Sequence, residues 1–203
     1  MATDDDLPIV GRAGVPGPQS ITSHEGQRHP LAPPLGSIVL AWMGDRAVEA
    51  WLDRLGPELT DSERDRYRTA IETIRRRGYT VGIRVRRLVE LSEIYANADL
   101  YTPDGRREIS RAMAAVAHDE DYLPAVDDLP PDAELSSVAA PVFGPDGTML
   151  FAIALMPERH GARDIPALSR AVLRAAGRVM AAIDGRQPGA AGAEPAAARR
   201  QVS

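Results

Sequence analysis

The sequence predicts an α+β fold in which helices pack on an antiparallel sheet. Three segments lead to this prediction. Residues 60–78 have the pattern of an amphipathic surface helix, residues 134–159 contain two apolar runs joined by a turn, and residues 165–185 carry a helical apolar stripe. Helices and a hairpin in one chain of this length are expected to share a single core.

Composition sets the broad class. The 203 residues, of which 44% are hydrophobic, are enough for one domain with a buried core. The N-terminal segment is acidic rather than apolar, and no run approaches the roughly 20 apolar residues needed to span a bilayer. The chain has no cysteine, which fits a cytoplasmic location. Its net charge of -5 and pI near 5.4 argue against a chain that coats nucleic acid.

The clearest helix begins with a capping box of Thr60 and Glu63 and ends at Gly78. The cluster Arg75–Arg77 falls in its last turn, where cations oppose the negative end of the helix dipole. A solvated helix end is therefore favoured over a phosphate-binding site as the interpretation of this cluster. An earlier helix is predicted from Asp45, as its N-cap, to Gly56, with Trp51 in the core.

The hairpin is predicted around the turn Gly144–Gly147. Both alternating sets of side chains on its second strand are apolar, so neither face is expected to contact water. The helix at residues 165–185 covers one face. Small residues on the two strands leave either a ligand pocket or a site of close helix packing on the other face, and both alternatives stay open: Ala139, Ala140, Ala152 and Ala154.

Catalytic and metal-binding patterns are absent from the sequence. The four histidines show no metal-ligand spacing, and no nucleophile elbow or phosphate-binding glycine loop occurs. The neighbouring carboxylates Asp127 and Asp128 lie in an acidic, proline-containing segment and are expected to be solvated. We therefore expect no metal, no cofactor and no enzymatic activity. One alternative is an enzyme that acts on a small carbonyl compound. It would require turnover that is sensitive to Ser137→Ala.

Four segments in order carry a resemblance to a known family: "PLAPPLG", "AIETIRRRGYTVG", "SSVAAPVFGPDGTMLFAIAL" and "LRAAGRVMAAIDG". Together they resemble the effector-binding domain of IclR-type bacterial transcriptional regulators. The resemblance covers residues 7–185, including an acidic loop at 118–134. Residues 1–6 and the alanine- and glycine-rich tail 186–203 are expected to be disordered.

The resemblance implies a GAF-like α+β domain whose antiparallel sheet has helices on both faces and whose pocket binds a small organic effector. It further implies a homo-oligomer, either a dimer or a tetramer, that takes part in transcription regulation without spanning a membrane. In the family an N-terminal winged helix-turn-helix binds DNA. That module is not present in this sequence, so DNA binding is expected only through a module supplied from elsewhere.

The resemblance also implies where an effector binds. The corner "PPLGS" corresponds to a pocket wall in the family, although a simple turn before a buried helix explains it equally well. Ser137 matches a pocket-facing position directly, while Ala154 and Met156 stand where relatives often have serines, which predicts a more apolar effector than a short dicarboxylate. The predicted effector-binding residues are Leu35, Gly36, Ser37, Ser137, Ala139, Ala154 and Met156.

An alternative function stays open beside the sensor. The chain is then a stand-alone interaction protein that forms mixed oligomers with full-length relatives, through faces such as the helix that carries Met113. Binding to a full-length relative in the absence of any effector would distinguish this alternative from the sensor.

Overall fold

The computed structural model describes residues 6–14, 25–56, 59–83, 90–91, 93–94, 102–119, 135–156 and 164–188. The predicted α+β class is confirmed, since helices accompany two antiparallel sheets. In chain order the elements are β1 (Asp6–Pro8), β2 (Arg28–Pro30), α1 (Ser37–Leu40), α2 (Asp45–Leu52), a 3₁₀ turn (Asp53–Leu55), α3 (Asp61–Arg77), β3 (Thr80–Ile83), α4 (Pro103–Asp119), β4 (Leu135–Phe143), β5 (Met149–Leu155) and α5 (Ile165–Ala182).

The larger sheet has the order β3-β4-β5, and the smaller one pairs β1 with β2. The predicted hairpin is confirmed: β4 and β5 pair antiparallel, and the Gly147 amide donates to the Gly144 carbonyl at 3.0 Å. The Asp146 carboxylate accepts from the Thr148 amide at 2.9 Å. This bond lowers the pKa of Asp146, because it stabilises the ionised form.

β4 is the central strand, yet it contains Pro141, which has no amide hydrogen to donate. The partners of β3 on β4 run only from Leu135 to Ala139, so Pro141 lies beyond the paired stretch and has β5 alone as its described neighbour. A proline is tolerated where one side of a strand is unpaired.

One face of the larger sheet packs against α5, as predicted. Val81, Val138 and Val142 form a buried cluster with the α5 residues Val172 and Ala176. The α5 end also makes a close backbone approach. A Cβ added at Gly185 would lie 2.1 Å from the Phe143 carbonyl oxygen, so only glycine fits there.

A helical layer lies on the opposite side of the sheet. α1 contacts β4 and β5 as well as α3, and a second buried cluster includes Leu40 and Ile74. The Trp42 ring packs edge-on against Phe143, with 5.0 Å between ring centroids. The predicted core position of Trp51 is confirmed, because its ring is buried edge-on against Tyr67.

The two ends of α3 follow the sequence prediction. Thr60 and Glu63 form the capping box, and Gly78 ends the helix in the left-handed conformation. The last turn is more than a solvated helix end. Arg75 Nε donates to the Ala41 carbonyl at 2.6 Å, which fixes the end of α1 to the end of α3.

The predicted cap of α2 is wrong. Gly44 is the N-cap and no side chain caps the helix, while Asp45 is its first residue. The Asp45 carboxylate instead accepts from Arg75 at 3.2 Å. A tertiary contact has therefore taken the side chain that the local pattern assigned to capping.

Some predicted boundaries fall at or outside the described residues. β1 begins at Asp6, one residue inside the stretch expected to be disordered, and residues 186–188 of the predicted tail are described. The predicted helix around Met113 is confirmed as α4. The acidic loop predicted at 118–134 begins too early, because α4 continues through Asp119. The rest of that loop, with Asp127 and Asp128, lies outside the described residues.

Thr60→Ala is expected to lower the free energy of unfolding by about 1 kcal/mol, since it removes the acceptor for the Glu63 amide. Urea unfolding measures this. Thr69→Ala in the same helix is the control, because the Thr69 hydroxyl only donates back to the Asp65 carbonyl at 2.8 Å and its loss is expected to be close to neutral. Equal losses in both variants would contradict the capping assignment.

Gly185→Ala is expected to destabilise the protein by about 1–3 kcal/mol, because the new methyl group would overlap the Phe143 carbonyl and the Met180 backbone. Gly177→Ala in α5 meets no atom within 4 Å and is expected to stabilise by up to about 1 kcal/mol through helix propensity. Thermal unfolding of the pair tests both signs, and stabilisation by Gly185→Ala would show that α5 does not end against β4 in this way.

Candidate functional site

The "PPLGS" corner is a tight turn that leads directly into α1. The Pro33–Pro34 peptide bond is cis, and the Leu35 amide donates to the Ala32 carbonyl at 2.8 Å. Gly36 has a φ of 91°, a conformation that favours glycine. A Cβ at Gly36 would also lie 2.2 Å from Leu31 Cδ1, so the position requires glycine for two separate reasons.

Side chains from the α2 region fix this corner in place. Trp51 Nε1 donates to the Leu35 carbonyl at 2.9 Å, and Arg54 donates to the Leu31 carbonyl. Both bonds satisfy turn carbonyls that have no partner in regular secondary structure. The corner is therefore a rigid element held against the body of the domain.

The sheet presents a face of small side chains toward α1. Successive residues of a strand point to opposite faces, and Val81 and Val138 point toward α5. Their neighbours in the register therefore point the other way: Thr80 lies opposite Ala139, which lies opposite Ala154, and Gly82 lies opposite Ser137. We call this the small-residue face, formed by Thr80, Gly82, Ser137, Ala139, Ala152 and Ala154.

Thr80 is the one residue of this face that carries a buried hydroxyl without a partner among the described residues. The residue is 8% exposed, and its Oγ1 makes no hydrogen bond there. An unsatisfied buried hydroxyl costs on the order of 1–3 kcal/mol. Trp42 Nε1, on the helical layer that packs on the same face through Phe143, is also buried without a partner in the described part of the chain.

Most of the predicted site residues lie around this face. Ser137, Ala139 and Ala154 belong to it, and Leu35, Gly36 and Ser37 lead into α1, which contacts its strands. Ser37 is buried, Ser137 is half-buried and Ala154 is exposed. Met156 follows β5 and is 52% exposed.

Thr80 is missing from the sequence-based prediction. In "GYTVG" it looks like an ordinary start of a strand, and only the register with Ala139 shows which face it occupies. The sequence shows only a single polar residue in a short apolar strand, and that pattern does not say which face the residue occupies. α1 has only four residues, so its dipole is too small to attract an anion strongly.

The titratable groups with shifted pKa values lie elsewhere. A bidentate pair joins α2 to α3, where Arg68 donates to Glu49 at 2.7 and 2.8 Å. These bonds lower the pKa of Glu49 and raise that of Arg68. Burial lowers the pKa of His29 in β2. The small-residue face itself contains hydroxyls and apolar groups, a combination suited to binding by hydrogen bonds and contact rather than to proton transfer.

Within the described residues no group of three or more histidine, aspartate or glutamate side chains is placed to hold a metal ion. No helix in the same part of the chain is long and apolar enough to cross a membrane.

The fold and the face together define an α+β domain with a candidate small-molecule site. Comparison with family models, with curated proteins and with solved structures found no match. The GAF-like architecture and the IclR-type family are therefore proposals, which depend on the sequence segments and on the geometry of this face.

Gly36→Ala is expected to destabilise the protein more than Gly78→Ala. Both glycines have left-handed backbones, with φ and ψ of 91° and 0° at Gly36 and of 78° and 9° at Gly78. Each alanine therefore costs about 1–2 kcal/mol of conformational strain. Only the Gly36 variant adds an overlap with the buried Leu31, worth about another 1–2 kcal/mol. Urea unfolding of both variants measures the difference, and equal losses would show that Leu31 repacks without cost.

Proposed function

We propose that the chain is the effector-sensing domain of an IclR-type transcriptional regulator, with a GAF-like fold, and that it binds a small organic molecule between α1 and the small-residue face. A helix-turn-helix module outside this sequence would carry the DNA contacts. The domain would act as a sensor and not as a catalyst, in the cytoplasm and as an oligomer.

One observation carries the proposal. The Thr80 hydroxyl is buried and lacks a partner in the described part of the chain, on a face otherwise formed by alanine, glycine and serine side chains. Buried polar groups are nearly always hydrogen-bonded, so an orphaned one suggests that a bound molecule or water completes it. Close packing of α1 explains the small side chains, but it does not explain an unsatisfied hydroxyl.

The surroundings suggest the chemical class of the effector. Thr80 and Ser137 supply hydroxyls, Ala139 and Ala154 supply apolar contact, and the face contains no cation to neutralise a dianion. Burying an unpaired carboxylate is costly. We therefore expect a mainly apolar molecule with a neutral hydrogen-bonding group, such as a hydroxyl, an amide or a carbonyl.

Native mass spectrometry of the purified chain is the first test, because it reports a co-purified small molecule and the subunit number in one spectrum. We expect a mainly apolar ligand that is lost on mild denaturation. A tightly bound small dicarboxylate would contradict the proposed effector class, and a ligand whose binding is unaffected by changes at Thr80 would contradict the proposed site.

Thr80→Val separates binding from packing, since it removes the hydroxyl and keeps the shape. We expect the ligand-free protein to gain about 1 kcal/mol of stability, because an unsatisfied polar group is replaced by a methyl. Affinity for the effector is expected to fall about tenfold, which corresponds to the loss of one hydrogen bond. Thermal unfolding with and without ligand measures both quantities.

Thr73→Val is the matched control, because Thr73 is equally buried but its hydroxyl accepts from Arg76 at 3.4 Å. This variant is expected to lose stability and to leave affinity unchanged. A stable Thr80→Val protein with full affinity would place the effector elsewhere. Destabilisation by Thr80→Val would mean that its hydroxyl is already satisfied without any ligand.

The stand-alone interaction protein is the second candidate, and one observation favours it. β5 exposes large apolar side chains, with Leu150 37% and Phe151 36% exposed, where the sequence predicted that neither face of the strand contacts water. That prediction is wrong for the described residues. Binding of a full-length relative to the ligand-free chain would support this function.

A further inference from the structure

The outer edge of β5 is open in the described part of the chain. β5 pairs with β4 on one side, and no other described strand pairs with it. Exposed edge strands are usually protected by charged residues, prolines or bulges that prevent pairing with another chain. From Gly147 to Met156 the sequence contains no charged residue and no proline, and Phe151 is 36% exposed. A shift in the register falls at Leu150, between Met149 and Phe151, so the regular part of the open edge runs from Phe151 to Leu155.

The flank of α5 above this edge carries three alanines and Arg178. Successive helix residues are about 100° apart, so Leu173 and Ala171 lie on opposite flanks of the buried Val172. Leu173 points toward the β3 side, because its Cδ2 would be 4.0 Å from a Cβ at Gly78. Ala171, Ala175 and Ala182 therefore lie on the flank toward β5.

We propose that two copies of this chain pair through antiparallel β5 strands, which joins their two three-stranded sheets into one of six strands with the two α5 helices side by side. An antiparallel pair of identical strands has two-fold symmetry, the commonest symmetry of protein dimers. The proposal concerns the interface alone and holds whether or not the small-residue face binds an effector.

Charge fits a second copy as the occupant of this edge. In a two-fold antiparallel pair only the residue on the axis faces its own copy, so a charge at or beside the axis would lie close to its like. β5 carries none. Two of the exposed arginines of α5, Arg170 and Arg174, lie opposite its buried stripe and so point away from the symmetry axis, whereas the exposed Arg178 lies beside Ala171 on the flank toward β5.

Distance also fits. Paired strands lie about 4.8 Å apart, and α5 contacts both β4 and β5, which places the two α5 axes about 10–14 Å apart across the dimer. Packed helices are about 8–10 Å apart, so the alanine flanks would lie across a narrow gap. The two copies of Phe151, on the α5 face of the sheet, would fill that gap.

Light scattering over a dilution series, together with a pair of lysine substitutions, tests the interface. With the two-fold axis at or beside Phe151, Phe151→Lys brings like charges close together across the interface, and the dimer dissociation constant is expected to rise at least tenfold. Leu173→Lys is the matched control, since Leu173 is 38% exposed on the other flank of α5, and its dimer is expected to be unchanged. A monomeric wild type, or a dimer that only Leu173→Lys weakens, would overturn the proposal.

Hydrogen exchange of the wild-type chain provides a test that needs no variant. The β5 amides that point away from β4 are expected to exchange slowly at high concentration and faster on dilution, while the amides that bond within the β4–β5 pair change little. Slow exchange of these outward β5 amides at every concentration, together with a monomeric mass, would show that another part of the same chain covers the edge and would refute pairing between copies.

Discussion

The burial of β4 on both faces is the constraint on which the other features depend. Every residue from Val138 to Phe143 is buried, with α5 on one side and the helical layer of α1 and α3 on the other. The candidate site on the small-residue face therefore keeps its shape only while α1 stays in place. Two bonds hold α1, from Trp51 to the Leu35 carbonyl at its start and from Arg75 to the Ala41 carbonyl at its end. Removing either would loosen the candidate site without touching a residue that lines it.

The elements predicted correctly are those whose signals are local. The capping box of α3, its final Gly78 and the hairpin turn each depend on residues a few positions apart, so the sequence contains the whole interaction. The errors come from distant contacts. Asp45 was assigned to capping, but Arg75, thirty positions later, binds its carboxylate. The face that Thr80 occupies and the exposure of Phe151 at the sheet edge depend on which strands are neighbours. No pattern within one strand contains that information.

The two proposed surfaces share a strand. β5 contributes Ala154 to the small-residue face and Phe151 to the opposite face at the sheet edge, three residues away. A molecule bound on one face and a second copy paired at the edge would both act on the same short stretch of backbone. A sensor needs its ligand and its assembly to influence each other, and a shared strand supplies the shortest physical connection between them. The same proximity would let an interaction protein assemble with no ligand at all.

The end of α5 has a mechanical consequence. The Gly185 amide donates to the Met180 carbonyl at 2.8 Å, and the Arg186 amide donates to the Gly144 carbonyl at 3.1 Å, so the chain leaves the helix already bonded to the hairpin turn. A load applied through residues after 188 reaches the β4–β5 turn before it can unwind α5. A tether or fused domain at that position would thus pull on the central hairpin, the part of the sheet with the most backbone bonds to resist it.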